Sequence, residues 1–115
     1  MQEGDVVLTS VPQADGTVKN RPAIVLREMP VYRDVLVCGV STQLHQYVPG
    51  FDDLIAPADA DFAASGLVAP SLIRLGFLAV VPCRNILGTI GAIAPERHKR
   101  LLQALSNYLL RNLGS

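Results

Sequence analysis

The chain has 115 residues, half of them hydrophobic and 17% charged, with ten cationic side chains balanced by ten acidic ones. That length holds one domain, residues 1–115, and buries roughly two-thirds of the surface an unfolded chain exposes, enough for a core without disulfide or metal staples. Zero net charge excludes a global field drawing the protein toward nucleic acid or a membrane, so a polyanion would have to be met by a local cluster. Eight of the ten cations are arginine, which suits planar, bidentate recognition of phosphate better than diffuse attraction. So much apolar surface on a small body also predicts a covered face, and hence a homodimer.

The first two-thirds of the chain reads as short strands broken by turns. Asp5–Thr9 is β-branched and apolar, and Gln13-Ala14-Asp15-Gly16 carries the Asp-Gly turn signature. Arg21-Pro22 opens a second strand through Leu26, with proline at a first position where it costs no ladder bond. Val35–Val40 hardly alternates and reads as a strand buried on both faces. Residues 43–57 turn polar and irregular around Pro49-Gly50. Residues 59–65 suit one short helical turn closed by Gly66. Leu67–Ala69 and Ser71–Leu75 read as strand material split by Pro70, and Leu78–Val81 and Leu87–Ile93 complete the β portion. Pro95 and Glu96 then suit a helix start. Leu101, Leu102, Leu105, Tyr108 and Leu109 form one apolar stripe at helical spacing, and Gly114 stops the helix. Strands at short intervals with one terminal helix predict a small, partly closed barrel or roll.

Cys38 and Cys83 sit in apolar stretches and read as buried free thiols, because a disulfide framework needs denser cysteine and an oxidising compartment. No basic segment followed by an apolar one opens the sequence, and no apolar run reaches the roughly 18 residues of a membrane span. The expectation is a cytoplasmic protein. His45 and His98 stand far apart, and no Cys or His pair has zinc spacing. No phosphate-binding glycine loop, nucleotide fingerprint or nucleophile elbow appears. Asp52, Asp53, Asp59 and Asp61 lack the ligand spacing of a calcium loop and read as a solvated loop.

What remains is an ordered set: Gly4-Asp5-Val6-Val7, Asp15-Gly16, Lys19-Asn20-Arg21-Pro22 with its aliphatic strand, Val40-Ser41-Thr42-Gln43, and Gly66-Leu67 followed by Pro70-Ser71-Leu72-Ile73-Arg74. In this order and at these separations it resembles the MazF/PemK family of toxin endoribonucleases, from Gly4 to about Ile93, and the terminal helix also fits. The resemblance implies an SH3-like, partly open β-barrel with a C-terminal α-helix, usually dimeric. It implies a substrate of single-stranded RNA and an antitoxin partner that covers the RNA groove. The implied chemistry needs no metal or cofactor: a 2′-hydroxyl attacks its own phosphate.

The resemblance also assigns roles. Arg21 matches the catalytic arginine, whose guanidinium can hold two phosphate oxygens. Ser41 falls at the catalytic threonine, with Thr42 next door if the register slips by one. Gln43 and Arg74 match substrate contacts, and Lys19 joins them. Each has a plainer reading as well, Arg21 as an arginine ordering its loop and Ser41 as a strand-end cap. The chain departs from the family where an acid two residues after Arg74 is replaced by Gly76, and where the polar stretch that follows becomes Phe77–Val81. It also has Gly16-Thr17-Val18 in place of a Glu-Gln pair. That leaves Asp15 and His45 as candidate bases, and Tyr47 and Phe51 as candidate base-stacking rings. Two other readings stay open: an RNA- or antitoxin-peptide-binding module without efficient catalysis, and a CcdB-like gyrase poison acting through the end of its last helix.

Overall fold

The computed structural model describes residues 1–12 and 15–111. Six strands, β1 (Asp5–Pro12), β2 (Val18–Glu28), β3 (Val35–Ser41), β4 (Asp53–Ile55), β5 (Ser71–Val81) and β6 (Ile86–Ala92), form one antiparallel sheet in the order β4-β5-β3-β2-β1-β6. Its edge strands β4 and β6 do not pair, so the barrel stays open. Helix α1 (Phe62–Ser65) leads into β5, and α2 (Pro95–Leu110) ends the described chain.

Strand alternation sorts the sheet into two faces. Ile24, Leu26, Cys38, Val40, Ile73 and Leu75 pack on one side with Leu101 and Leu105 of α2. Val7, Ala23, Val25, Val35 and Val37 form a second cluster on the other. The first face is capped by the helix, and the second is left to line a groove.

Several expectations need correcting. Proline 22 lies inside β2 rather than at its start, but next to Ala23↔Gly39, where the β2–β3 ladder stops, so its missing N–H costs little. Residues 67–69 are loop. Residues 71–81 form one continuous strand, and Asp53–Ile55 within the supposed irregular stretch pairs with β5 as β4. The helix starts at Pro95 as expected. Its last apolar turn is mostly exposed at Tyr108 and Leu109, and docks only through the Tyr108 ring on Phe51. Residues 13 and 14 of the first turn, and Gly114, lie outside the described residues.

Gly66 closes α1 with φ at +75°, and a Cβ there would collide with the carbonyl of Ile90. Gly66→Ala therefore combines left-handed strain with a backbone clash, and should destabilise the protein by at least about 2 kcal/mol in urea unfolding. Of the two free thiols only Cys38 is buried; Cys83 is exposed and donates to the Arg33 carbonyl at 3.0 Å. Burial pushes the Cys38 thiol up to about 12. Iodoacetamide at mildly alkaline pH should thus label Cys83 alone in the folded protein and both cysteines once it is unfolded.

Candidate RNA-facing groove

Two residues per repeat along a strand put Thr9 of β1, Arg21 of β2, Gly39 and Ser41 of β3 and Arg74 of β5 on the uncovered face. Register brings them together across the sheet. Thr9 pairs with Arg21, Ala23 with Gly39, and Gly39 with Arg74. Continued two residues past Ala23↔Gly39, the β2–β3 register sets Arg21 beside Ser41. These residues line an open groove of about 900 Å³ together with Thr42, Gln43 and Gln46.

The local geometry readies some of these groups for a ligand. Ser41 Oγ accepts the Gln43 backbone N–H at 3.0 Å, which fixes the hydroxyl and leaves its proton to donate. Arg74 is half-buried, and Arg21 is exposed on the strand. A third arginine, Arg84, enters from the 3-10 turn Cys83–Asn85, which Thr9 Oγ1 holds by donating to the Asn85 carbonyl at 3.3 Å. Three arginines line the groove, and among the described residues no aspartate, glutamate or histidine does. A chain of zero net charge has in this way concentrated positive potential in one concavity.

Of the eight residues singled out in the sequence, Arg21, Ser41, Thr42, Gln43 and Arg74 line the groove; Lys19, Asp15 and His45 do not. Asp15 Oδ1 accepts both the hydroxyl of Thr17 at 2.7 Å and its N–H at 3.0 Å. These bonds, the hydroxyl's first, hold the carboxyl below the usual aspartate range and weaken it as a base. His45 lies exposed in the 3-10 turn Leu44–Gln46, and it is its neighbour Gln46 that reaches the groove. Of the candidate stacking rings, Tyr47 does not line the groove. Phe51 packs toward the helix-side core and against Tyr108, ring centroids 4.8 Å apart.

The apolar 77–81 stretch explains the Gly76 departure. Between Cys38↔Leu78 and Gly39↔Arg74, β5 carries three residues with no partner on β3. This bulge reverses which residues face the groove, so that Ala79 stands opposite Val37 on the groove side. Gly76 is turned away, and a Cβ there would lie 3.8 Å from the Phe51 ring. The missing acid therefore leaves no gap in the groove itself.

The acidic run is not the solvated loop its polarity suggests. Arg97 of α2, 7% exposed, donates to Asp61 through Nε (2.8 Å) and Nη2 (3.0 Å), to Asp53 and the Leu54 carbonyl through Nη1 (both 2.8 Å), and to Asp59 through Nη2 (3.2 Å). Asp52 accepts the N–H groups of Val48 and Leu75, each at 3.1 Å, the second within the β5 bulge. No group of three or more His, Cys, Asp or Glu side chains able to hold a metal occurs among the described residues. Likewise no helix among them is long and apolar enough to cross a membrane.

No curated protein matches the chain in sequence. In fold it is similar to the Mycobacterium tuberculosis toxin MazF-mt6, at 20% identity and a TM-score of 0.65 over 91% of this chain and 95% of that one. The family model of PemK-like, MazF-like toxins of type II toxin-antitoxin systems matches residues 2–109, the expected span and the terminal helix with it, and the chain belongs to that family.

Proposed function

We propose that this protein is the toxin of a toxin-antitoxin pair and acts as an endoribonuclease on single-stranded RNA. The observation that carries the reading is the convergence of Arg21, Arg74 and Arg84 in one groove that, among the described residues, no carboxylate lines. The 2′-hydroxyl attacks the adjacent phosphorus, the bond to the 5′-oxygen breaks, and the products end in a 2′,3′-cyclic phosphate and a 5′-hydroxyl. Arg21 and Arg74 hold the phosphate oxygens as charge builds on them, and the Ser41 hydroxyl adds a fixed donor. Asp15 and His45 stand outside the groove, so the catalytic weight rests on electrostatic stabilisation rather than on a strong base. An antitoxin would cover the same groove. The exposed apolar side chains Leu78, Val80, Leu87 and Ile90 fit a homodimer contact, and the cytoplasm fits the two reduced thiols.

A second reading, RNA or antitoxin-peptide binding without cutting, draws support from the same groove. Among the described residues it holds no carboxylate or imidazole to take the 2′-hydroxyl proton, and Phe77, Ala79, Val80 and Val81 make part of it apolar. The gyrase reading depends on the end of the last helix, and residues 112–115 lie outside the described ones. Incubating the protein with a long single-stranded RNA in EDTA and mapping the product ends separates these readings. Cuts at a repeated short sequence with 5′-hydroxyl ends support the ribonuclease. Salt-sensitive binding with intact RNA supports the binding module.

A further inference from the structure

From the floor of this groove we infer a base-binding subsite: the ring of Phe77 is the stacking surface for one unpaired base of the RNA, next to the phosphate held by Arg74. The inference rests on the RNA reading above and goes beyond it by naming what the apolar end of the groove binds. Phe77 is the one aromatic side chain lining the groove among the described residues. It is there because of the bulge, which puts residue 77 on the groove side.

Its ring fills the space a side chain at position 39 would take. A Cβ built on Gly39 would sit 2.9 Å from Phe77 Cδ1 and 3.3 Å from Cγ. The strand backbone thus supports one side of the ring, while the residue stays 45% exposed and lines the groove. Gly39 is also the register partner of Arg74. A guanidinium and a partly exposed aromatic ring therefore meet at Gly39 in one groove, the combination that single-stranded nucleic acid meets with its phosphate and its base. A peptide rich in carboxylates would satisfy the arginines but would have no use for the flat face.

Stacking tolerates any base, because every base has a π-face and a phenyl ring offers no hydrogen bond. The subsite therefore adds affinity and footprint, and leaves sequence choice to polar neighbours such as Gln43 and Gln46.

The test measures affinity of the full-length protein for a short single-stranded RNA, 2′-O-methylated throughout so that it cannot be cut, and for the same strand with one base removed at each position in turn. Phe77→Leu keeps apolar bulk but loses the π-face, and should weaken binding to the intact strand about tenfold. Phe77→Tyr should restore it. On the strand lacking the stacked base, wild type and Phe77→Leu should bind equally. Wild-type affinity in Phe77→Leu, or the same loss on every abasic strand, would overturn the subsite. So would a loss that sedimentation traces to separation of associated copies. Arg74→Ala in parallel separates the two levels. If it weakens binding while Phe77→Leu does not, only the subsite fails. If neither changes it, the RNA reading fails as well.

Discussion

Arg97→Ala is expected to destabilise the fold by about 3–5 kcal/mol, seen as a large drop in the urea midpoint, although the residue is far from the groove. All five guanidinium donors are used, two of them in a fork on Asp61. The side chains of Arg97 and Asp61 are 8% and 9% exposed. Removing the cation strands a buried carboxylate, and that cost exceeds the net worth of the intact pair. Asp53 keeps a second cation in Arg100, and Asp59 is exposed enough to be solvated, so the damage centres on buried Asp61, left with the Ala94 N–H. Arg97→Lys should recover only part of the loss, because an ammonium cannot reproduce the fork.

The same contact makes stability depend on acid. The Arg97 guanidinium first, and then the Ala94 N–H, hold the Asp61 carboxyl down at about 2, against an ordinary 3.8. A depressed folded-state value means that the contribution, at most about 2 kcal/mol, is complete above pH about 4 and is lost as pH falls through the folded value. Midpoints followed from neutral pH downward should therefore drop in wild type over that window. Asp61→Asn should start lower and lose less. An Arg97→Ala protein with a wild-type midpoint would remove the cage from any account of the fold.

This cage marks the limit of what patterns along the chain could show. The start of α2 was legible from Pro95 and Glu96, and the strands β1 to β3 from their β-branched runs. Arg97 escapes a periodicity reading, which weights the apolar positions, although 97, 101 and 105 share one helical face with buried Leu101 and Leu105. Asp53, Asp59 and Asp61 read as a solvated loop because their partner comes from a helix some forty residues on, and Asp52 because its partners are backbone N–H groups. β4 is only three residues long, too short to show alternation inside a polar segment.

In the groove, Arg21, Ser41 and Arg74 were legible through the family resemblance alone. Phe77 was not. Uninterrupted alternation from Arg74 sends Gly76 to the groove, and only the pairing with β3 reveals the bulge that reverses the faces. Arg84 depends on a turn after Pro82 that Thr9 pins to β1, a contact between residues 76 positions apart. Both misses have one cause: these side chains are aimed by tertiary hydrogen bonding rather than by local period.

Arg21→Ala should slow cleavage of single-stranded RNA at least roughly 30-fold, the equivalent of about 2 kcal/mol of transition-state stabilisation and the scale of one lost oxyanion donor. Single-turnover rates at saturating protein are the right measure, because they separate the chemical step from RNA affinity. If Arg21 meets charge that builds only as the phosphate is attacked, the rate at saturation falls; if it merely holds the strand, affinity falls and the saturated rate stays. Arg21→Lys sharpens the distinction. It keeps the positive charge, and so most of the salt-dependent affinity, but gives up the planar fork that can hold two oxygens at once. A Lys variant that binds well and cuts poorly assigns the fork to the transition state. Ser41→Ala should cost less than either, since Thr42 offers a second hydroxyl in the same groove. An Arg21→Ala protein that cuts at the wild-type rate would sink the assignment, because Arg21 is the cation that the β2–β3 register sets beside Ser41. If wild type binds without cutting, Arg21→Ala should still lower both RNA affinity and its salt slope by about one phosphate contact, and the groove would then be a binding site alone.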